Sequence, residues 1–471
     1  MATMKKSSMA LLALCLFTAA AVSAHAAEAE VGAMQSEAEL EHSPAFLGFM
    51  SEHSKDYCAG RRSCQVSFIR EKIYVLNKEL IDTHNANPQR TFNMALSRFA
   101  DLSAEEFERL HLKYRPSAAK VAAVGREVSQ STFASLPTPI RSRLGSSDDG
   151  DSSSEEEEDV SDLPNAFSWT DPPAGYGKVV APVHDQQDVC ASCWAFVTAD
   201  SIGGRYAVMT KTDIEEMSVK QLMVCDQQDN GCNTGNMYTA YDWIDENGGM
   251  ATKAAYNEAV PGGVEDDETA TCSADVTKTL TTPGMCDLKM TSGNRALMLA
   301  LQSAGPVAIG INANNLQFYS SGTIDSDSCP PAGRGIQSIN HAALVVGWGE
   351  EDGKKYWLVK NSYGTGFGED GFFKLERTAP SSETLFSTCG LLFESVYPVV
   401  VKVGDDDSNL EGQCVEGSVF KKDYYRNEDD NPGASGSATA EATAEADAMV
   451  AAAASAAMAE AAAEATGAVR R

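Results

Sequence analysis

The chain is poor in basic residues: 37 Lys and Arg stand against 67 Asp and Glu, a net charge of −30 over 471 residues. Such an acidic protein repels phosphate, which argues against nucleic acid and anionic membrane surfaces as partners. Its one long apolar run, residues 9–22, is shorter than the ~20 residues that span a bilayer, so no membrane anchor is expected. Asn-x-Ser/Thr sequons are missing, since Asn361-Ser362-Tyr363 and Asn233-Thr234-Gly235 both lack Ser or Thr at the third position, and N-glycan-dependent sorting is not expected. Histidine is scarce too, with seven in all. Five of them, His25, His42, His53, His84 and His111, lie in the first quarter of the chain and read as solvated or structural, as does His184.

Cysteine is not scarce. Twelve cysteines in a chain that looks exported point to disulfides rather than to a reduced cytosolic pool. The export signal is the pair Lys5-Lys6, the apolar run and the small residues of Ala24-His25-Ala26, which together read as a signal peptide over residues 1–26. The length suggests roughly three units. A run of like charges at Asp148-Asp149-Gly150-Asp151 and Glu155-Glu156-Glu157-Glu158-Asp159 has no apolar counterweight and reads as an acidic linker over 113–161, with an acidic surface loop as the alternative. Residues 403–471 read as a disordered acidic and Ala-rich tail, because the stretch from Gly433 onward has no apolar stripe to bury.

Between signal and linker, residues 44–112 show helical spacing. Arg70, Tyr74, Asn77, Ile81 and Asn85 share one helix face, and so mixed a stripe implies a specific docking surface. Asn87-Pro88 stops that helix, and Ser103 with Glu106 offers a capping box for the next. This stretch resembles the inhibitory propeptide of cathepsin L-like peptidases, whose pattern Glu-x3-Arg-x3-Phe-x2-Asn-x3-Ile-x3-Asn falls on these five positions, with Val66 in place of the leading Glu. The family's Asn-x-Phe-Ala-Asp element reads Ser97-Arg98-Phe99-Ala100-Asp101 here.

Farther along, Cys190-x-x-Cys193 alone allows a redox pair, half a zinc site, or a disulfide cysteine beside a nucleophile. The first reading wants a neighbouring βαβ pattern and the second another close Cys or His pair; neither is supplied. A nucleophilic Cys193 needs a helix beginning at the thiol, where the backbone N–H groups favour thiolate. The run Trp194 to Val208 supports one, with Gly203-Gly204 as its weak point. The strong candidate for a base is His341, which opens the β-branched run Ala342 to Val346. Asn361 is the natural third group, able to accept the ring N–H without neutralising the imidazolium.

Four motifs in order then resemble a papain-like, cathepsin L-type cysteine peptidase over 162–402: Gln187-x5-Cys193-Trp194, Ser218-x2-Gln221-Leu222-Met223-x-Cys225-Asp226-x5-Cys232-Asn233, Asn340-His341-Ala342, and Asn361-Ser362-Tyr363-Gly364. The resemblance implies an α+β fold with a helical lobe and a sheet-rich, β-barrel-like lobe, and a catalytic set of Cys193, His341, Asn361 and Gln187, with Gln187 an oxyanion donor. It also implies disulfides Cys190–Cys232, Cys225–Cys272 and Cys329–Cys389. Cys286 and Cys414 have no family counterpart and either pair or stay free, and Cys58 and Cys64 are near enough to close a small loop. Substrate contacts fall by the same resemblance on Gly235, Met237, Ile339 and Glu394, where a carboxylate would tolerate Arg as well as Phe or Leu. Tyr363 stands where the family usually has Trp. The expected function is a thiol-dependent endopeptidase made as a zymogen, a monomer in the lysosome, vacuole or extracellular space. Its expected partners are polypeptide substrates and its own propeptide, and it needs no cofactor or metal. A peptide ligase on the same site and a silent papain-like binding protein are the alternatives.

Overall fold

The computed structural model describes residues 42–60, 64–117, 120–121, 160–187, 190–261, 270–289, 292–329, 339–378, 387–405 and 409–422. The signal peptide, the acidic run and the Ala-rich stretch lie outside them. The chain divides into two units: one holds residues up to Leu80 together with Arg98–Ser103, and the other holds Ile81–Ser97 and everything from Ala104 on.

In the first unit, α1 (Pro44–Glu52) and α2 (Gln65–Ala86) are helices. Ser43 caps α1, with its side chain accepting the Phe46 N–H and with proline inside the first turn. The mixed stripe on α2 grips main chain: Arg70 donates to the Asp101 carbonyl at 2.9 Å, and Asn77 donates to the carbonyls of Ala100 and Leu102 at 2.8 and 2.9 Å. Tyr74 packs between Phe46 and Phe49, and Tyr57 donates to Asp101. His42 is buried, 2.7 Å from Glu71 and 2.8 Å from Ser67, the structural option among those expected for it. Burial raises the Glu71 pKa, but His42 and Ser43 outweigh it and hold the group below the ordinary range. The Cys58–Cys64 disulfide closes its small loop, and Val66 is exposed.

The second unit starts within α2, which ends at Ala86 just before Asn87-Pro88. Asn85 clamps Met94 through both backbone groups, at 2.8 and 3.0 Å. Strand β1 (Phe92–Met94) and helix α3 (Ala104–His111) follow. The helical part comprises α4 (Cys193–Thr210), α5 (Val219–Cys225), α6 (Met237–Glu246) and α7 (Lys253–Ala259). Ser218, Asn236 and Thr252 cap the last three, each accepting a backbone N–H of the first turn. Helix α4 passes unbroken through Gly203-Gly204: a Cβ at Gly203 would lie 2.7 Å from the Glu215 carbonyl, so close packing rather than flexibility fixes that residue type.

The sheet comprises β1, β2 (Phe167–Ser168), β3 (Leu280–Leu288), β4 (Val307–Ile311), β5 (Tyr319–Ile324), β6 (His341–Glu351), β7 (Lys354–Lys360), β8 (Phe372–Glu376), β9 (Glu394–Lys402) and β10 (Ser418–Lys421). Its order is β1-β5-β8-β7-β6-β4-β9-β3-β10, with β2 on β6. Only the β5–β8 pair is parallel. The remaining expected disulfides are present, and Cys286 pairs with Cys414. That bond corrects one expectation, because residues 409–422 are folded and not part of a disordered tail: β10 pairs with β3 from Ser418–Leu288 to Lys421–Met285. A four-residue strand is too short to show a period, so only its partner strand and its disulfide reveal it. The expected linker is also ordered at its start, where Tyr114, Ser117, Lys120 and Val121 are buried. No described helix is long and apolar enough to cross a membrane.

Candidate active site

Cys193 is the first residue of α4 and is buried, and it is the free cysteine among the described residues. Its pair-mate in sequence, Cys190, is committed to Cys232, which removes the redox and zinc readings. Burial pushes the thiol up to about 11, opposed by the backbone N–H groups of Ala342, Trp194 and Cys193 itself. Ala342 follows His341 on β6, so its N–H at the sulfur brings the start of the helix to the start of that strand. His341 Nε2 lies 2.9 Å from Asn361 Oδ1. The contact is long-range in sequence but short in the sheet, because β7 pairs antiparallel with β6 and ends at Lys360, opposite Leu344. Burial lowers the imidazole to about 4, against the Asn361 contact that raises it. Nδ1 of His341 has no hydrogen-bond partner among the described residues. Thiol and imidazole are therefore both neutral near pH 7 in this closed arrangement.

Asp200 and Lys360, which the sequence did not single out, hold these pieces together with His184, expected as solvated or structural and found to be structural. Asp200, inside α4, lies 2.5 Å from Lys360 Nζ and 3.3 Å from His184 Nε2. Burial raises its pKa, but the contacts with Lys360 and His184 override it and bring it to about 2. The trio joins the nucleophile helix to the residue before Asn361 and to the segment leading to Gln187. An acidic residue inside the largely apolar run Trp194 to Val208 is the signal the sequence offers for it. Next door, Gln186 donates to the Cys190 carbonyl at 3.0 Å and accepts from Ser362 Oγ at 2.7 Å.

Gln187 behaves otherwise than expected. It is exposed, with a φ of 62°. Its N–H donates to Asp185 Oδ1 at 2.9 Å and its side-chain amide to the Asp185 carbonyl at 3.3 Å. This tight turn folds the side chain back on its own loop, and no hydrogen bond joins it to Cys193.

Of the four residues expected to contact substrate, Met237, Ile339 and Glu394 lie around Tyr114, and Gly235 lies against Trp194. The Tyr114 hydroxyl is 2.8 Å from Glu394 Oε2 and 3.1 Å from Met237 Sδ, and Asn236 donates to it at 3.0 Å. A Cβ on Gly310 would come within 2.9 Å of Glu394, 3.1 Å of Ile339 and 3.2 Å of the Tyr114 ring, so that glycine leaves the pocket open. Gly235 is needed because the Trp194 ring would lie 2.4 Å from its Cβ. Backbone contacts keep the segment down: Tyr114 N–H to the Asn340 carbonyl at 3.1 Å, Thr234 Oγ1 to the Lys113 carbonyl at 2.8 Å, and Ser117 N–H to Glu394 Oε1 at 2.6 Å. Burial pushes Glu394 up to about 7 despite the Ser117 amide and the Tyr114 hydroxyl. Tyr363 faces His341 with ring centroids 5.2 Å apart and is itself flanked by Phe107 and His111, so a tyrosine supplies the shielding ring.

The sequence profile described as papain family cysteine protease matches residues 163–399, half of the chain. The chain belongs to the papain family. A cathepsin propeptide inhibitor domain profile matches residues 46–107, ahead of the peptidase domain. Among relatives, digestive cysteine proteinase 3 of Homarus americanus is 27% identical over 76% of this chain and 95% of its own length. A KDEL-tailed cysteine endopeptidase of Arabidopsis thaliana is 30% identical over 70% of this chain and 80% of its own. Among solved structures, digestive procathepsin L 3 from the larval midgut of Tenebrio molitor superposes with a TM-score of 0.54 at 26% identity, covering 75% of this chain and 97% of that one. The papain-family chain is thus a cysteine endopeptidase carrying its propeptide, and the segment from Tyr114 to Ser117 lies against Met237 and Glu394.

Proposed function

We propose that this peptidase hydrolyses polypeptides through Cys193, His341 and Asn361, with a thioester intermediate, once residues 104–121 leave the cleft. The observation that carries this is the His341–Asn361 contact at 2.9 Å beside a strand whose Ala342 N–H meets the sulfur of a helix-first cysteine. Removing the cover admits water, which lowers the thiol pKa and raises that of the imidazole, so that a proton passes from Cys193 to His341. The thiolate then attacks the peptide carbonyl carbon, forming an oxyanion that the Cys193 N–H and a reoriented Gln187 amide stabilise. Collapse breaks the C–N bond, and the imidazolium gives its proton to the leaving amine. Water, deprotonated by the neutral imidazole, attacks the thioester, releasing the carboxylic acid and regenerating the thiolate–imidazolium pair. Asn361 holds the ring by accepting its Nε2–H throughout.

The occupied pocket supports a zymogen: Tyr114 fills the space at Met237, Ile339 and Glu394 that a substrate side chain would use. A route through the secretory pathway to the lysosome, vacuole or exterior fits the five disulfides and the digestive relatives. The test is hydrolysis of Phe-Arg and Arg-Arg amides at mildly acidic pH under reducing conditions, by the acid-processed protein and its Cys193→Ala variant. Cleavage of at least one amide that disappears in the variant is expected. Cleavage that persists in the variant, or none by fully processed protein, would overturn the proposal.

A further inference from the structure

Beside Glu394 lies a second buried carboxylate that the catalytic scheme does not use. Asp287 on β3 pairs with Val396 on β9, two residues from Glu394. Residues directly opposite, and residues two apart on a strand, point to the same face, so Asp287 and Glu394 are diagonal neighbours on one face of the sheet, with backbones about 7–8 Å apart. Asp287 is 7% exposed. Both of its oxygens lie 2.7 Å from Lys120 Nζ, Oδ1 also accepts from the Tyr238 hydroxyl at 2.8 Å, and the Leu288 carbonyl lies 3.2 Å from the same ammonium. All three N–H bonds of a lysine head are thereby met within a buried pocket.

The two sides of this contact have different fates. Lys120 follows Tyr114 and Ser117 on the segment whose departure opens the cleft, whereas Asp287, Tyr238 and Leu288 belong to the peptidase domain and stay behind. A buried carboxylate stripped of its cation is strongly disfavoured, so the vacated position attracts another cation. The carboxylate and the Leu288 carbonyl converge on the one nitrogen of Lys120, as a compact ammonium at the end of an unbranched stem requires. Gly310 and the space of the Tyr114 ring give a long, unbranched side chain a way in past Glu394.

We infer that Asp287, with Tyr238 and the Leu288 carbonyl, is an ammonium-binding site of the mature enzyme that selects lysine one residue before the scissile residue, and that Lys120 is its stand-in in the zymogen. This rests on the endopeptidase reading above. The test uses processed enzyme and two peptide amides differing only in lysine or norleucine at that position. Asp287→Asn is expected to lower kcat/KM on the lysine peptide about tenfold or more while leaving the norleucine peptide within about twofold. An equal effect on both peptides, or none, overturns the site. Should Asp287→Asn fail to process, a thermodynamic cycle in the full-length Cys193→Ala chain decides: Lys120→Met lowers the melting temperature, and does so much less in an Asp287→Asn background. Additive shifts overturn the inference. Because the cycle requires no turnover, it tests the Lys120–Asp287 contact separately from the endopeptidase reading, which an inactive wild type would refute together with the lysine selectivity.

Discussion

Asp200 and Glu394 are both buried carboxylates of one unit, yet one is held at about 2 and the other at about 7. Desolvation pushes both upward, so burial does not distinguish them. The partners do. Asp200 faces a lysine ammonium and an imidazole of the same core, while Glu394 faces a hydroxyl and an amide N–H from the segment proposed to leave on activation. A carboxylate held by a buried lysine is part of the frame; one satisfied by a hydroxyl and an amide N–H sits in a setting of a different kind. Their contributions to stability also have opposite pH dependence. The depressed Asp200 stabilises the fold above its unfolded value of 3.8 and loses that contribution as pH falls toward 2. The raised Glu394 stabilises it below 4.5 and loses that contribution as pH rises through 7. Acid therefore does not loosen this contact of the zymogen.

The comparison breaks most sharply at Lys360. Replacing it with Met leaves Asp200 with only His184, and urea unfolding of the Cys193→Ala zymogen should show a loss of about 3–5 kcal/mol; a loss below about 1 kcal/mol would mean that the pair is not part of the frame. Glu394→Gln should flatten the stability profile between pH 4.5 and 7, removing a fall of up to about 3 kcal/mol seen in the unmutated zymogen. A profile that keeps its slope would assign that proton uptake to another group. The smallest effect is Tyr114→Phe, which keeps the ring and removes the hydroxyl: a loss of about 1–2 kcal/mol with faster acid processing, read by the time course of propeptide loss on gels.

Much of this arrangement was legible in the sequence. The α2 stripe identified residues that grip main-chain carbonyls, because a helix face is a local pattern. The four motifs brought Cys193, His341 and Asn361 together, and the even cysteines found their partners. What stayed hidden has no local period. Lys120 and Asp287 are 167 residues apart, and nothing in either neighbourhood announces the other. Asp200 looked like one polar residue in an apolar helix. Gln187 was read from its spacing to Cys193, but its side-chain direction depends on a left-handed φ and on Asp185, which spacing does not encode.

The pairing of Cys286 with Cys414 across 128 residues, around the 60-residue span of Cys329–Cys389, means that His341 and Asn361 sit inside two nested covalent rings. In the chain-entropy view the outer ring alone restricts the unfolded chain by about 5 kcal/mol. A peptidase that nicks its own backbone within these rings would release no fragment: the severed ends stay tethered, and the damage becomes visible only when thiols are added. The reductant that keeps Cys193 competent is the same reagent that would open these rings, so the protein's lifetime in an assay and its activity there draw on one chemical potential in opposite directions.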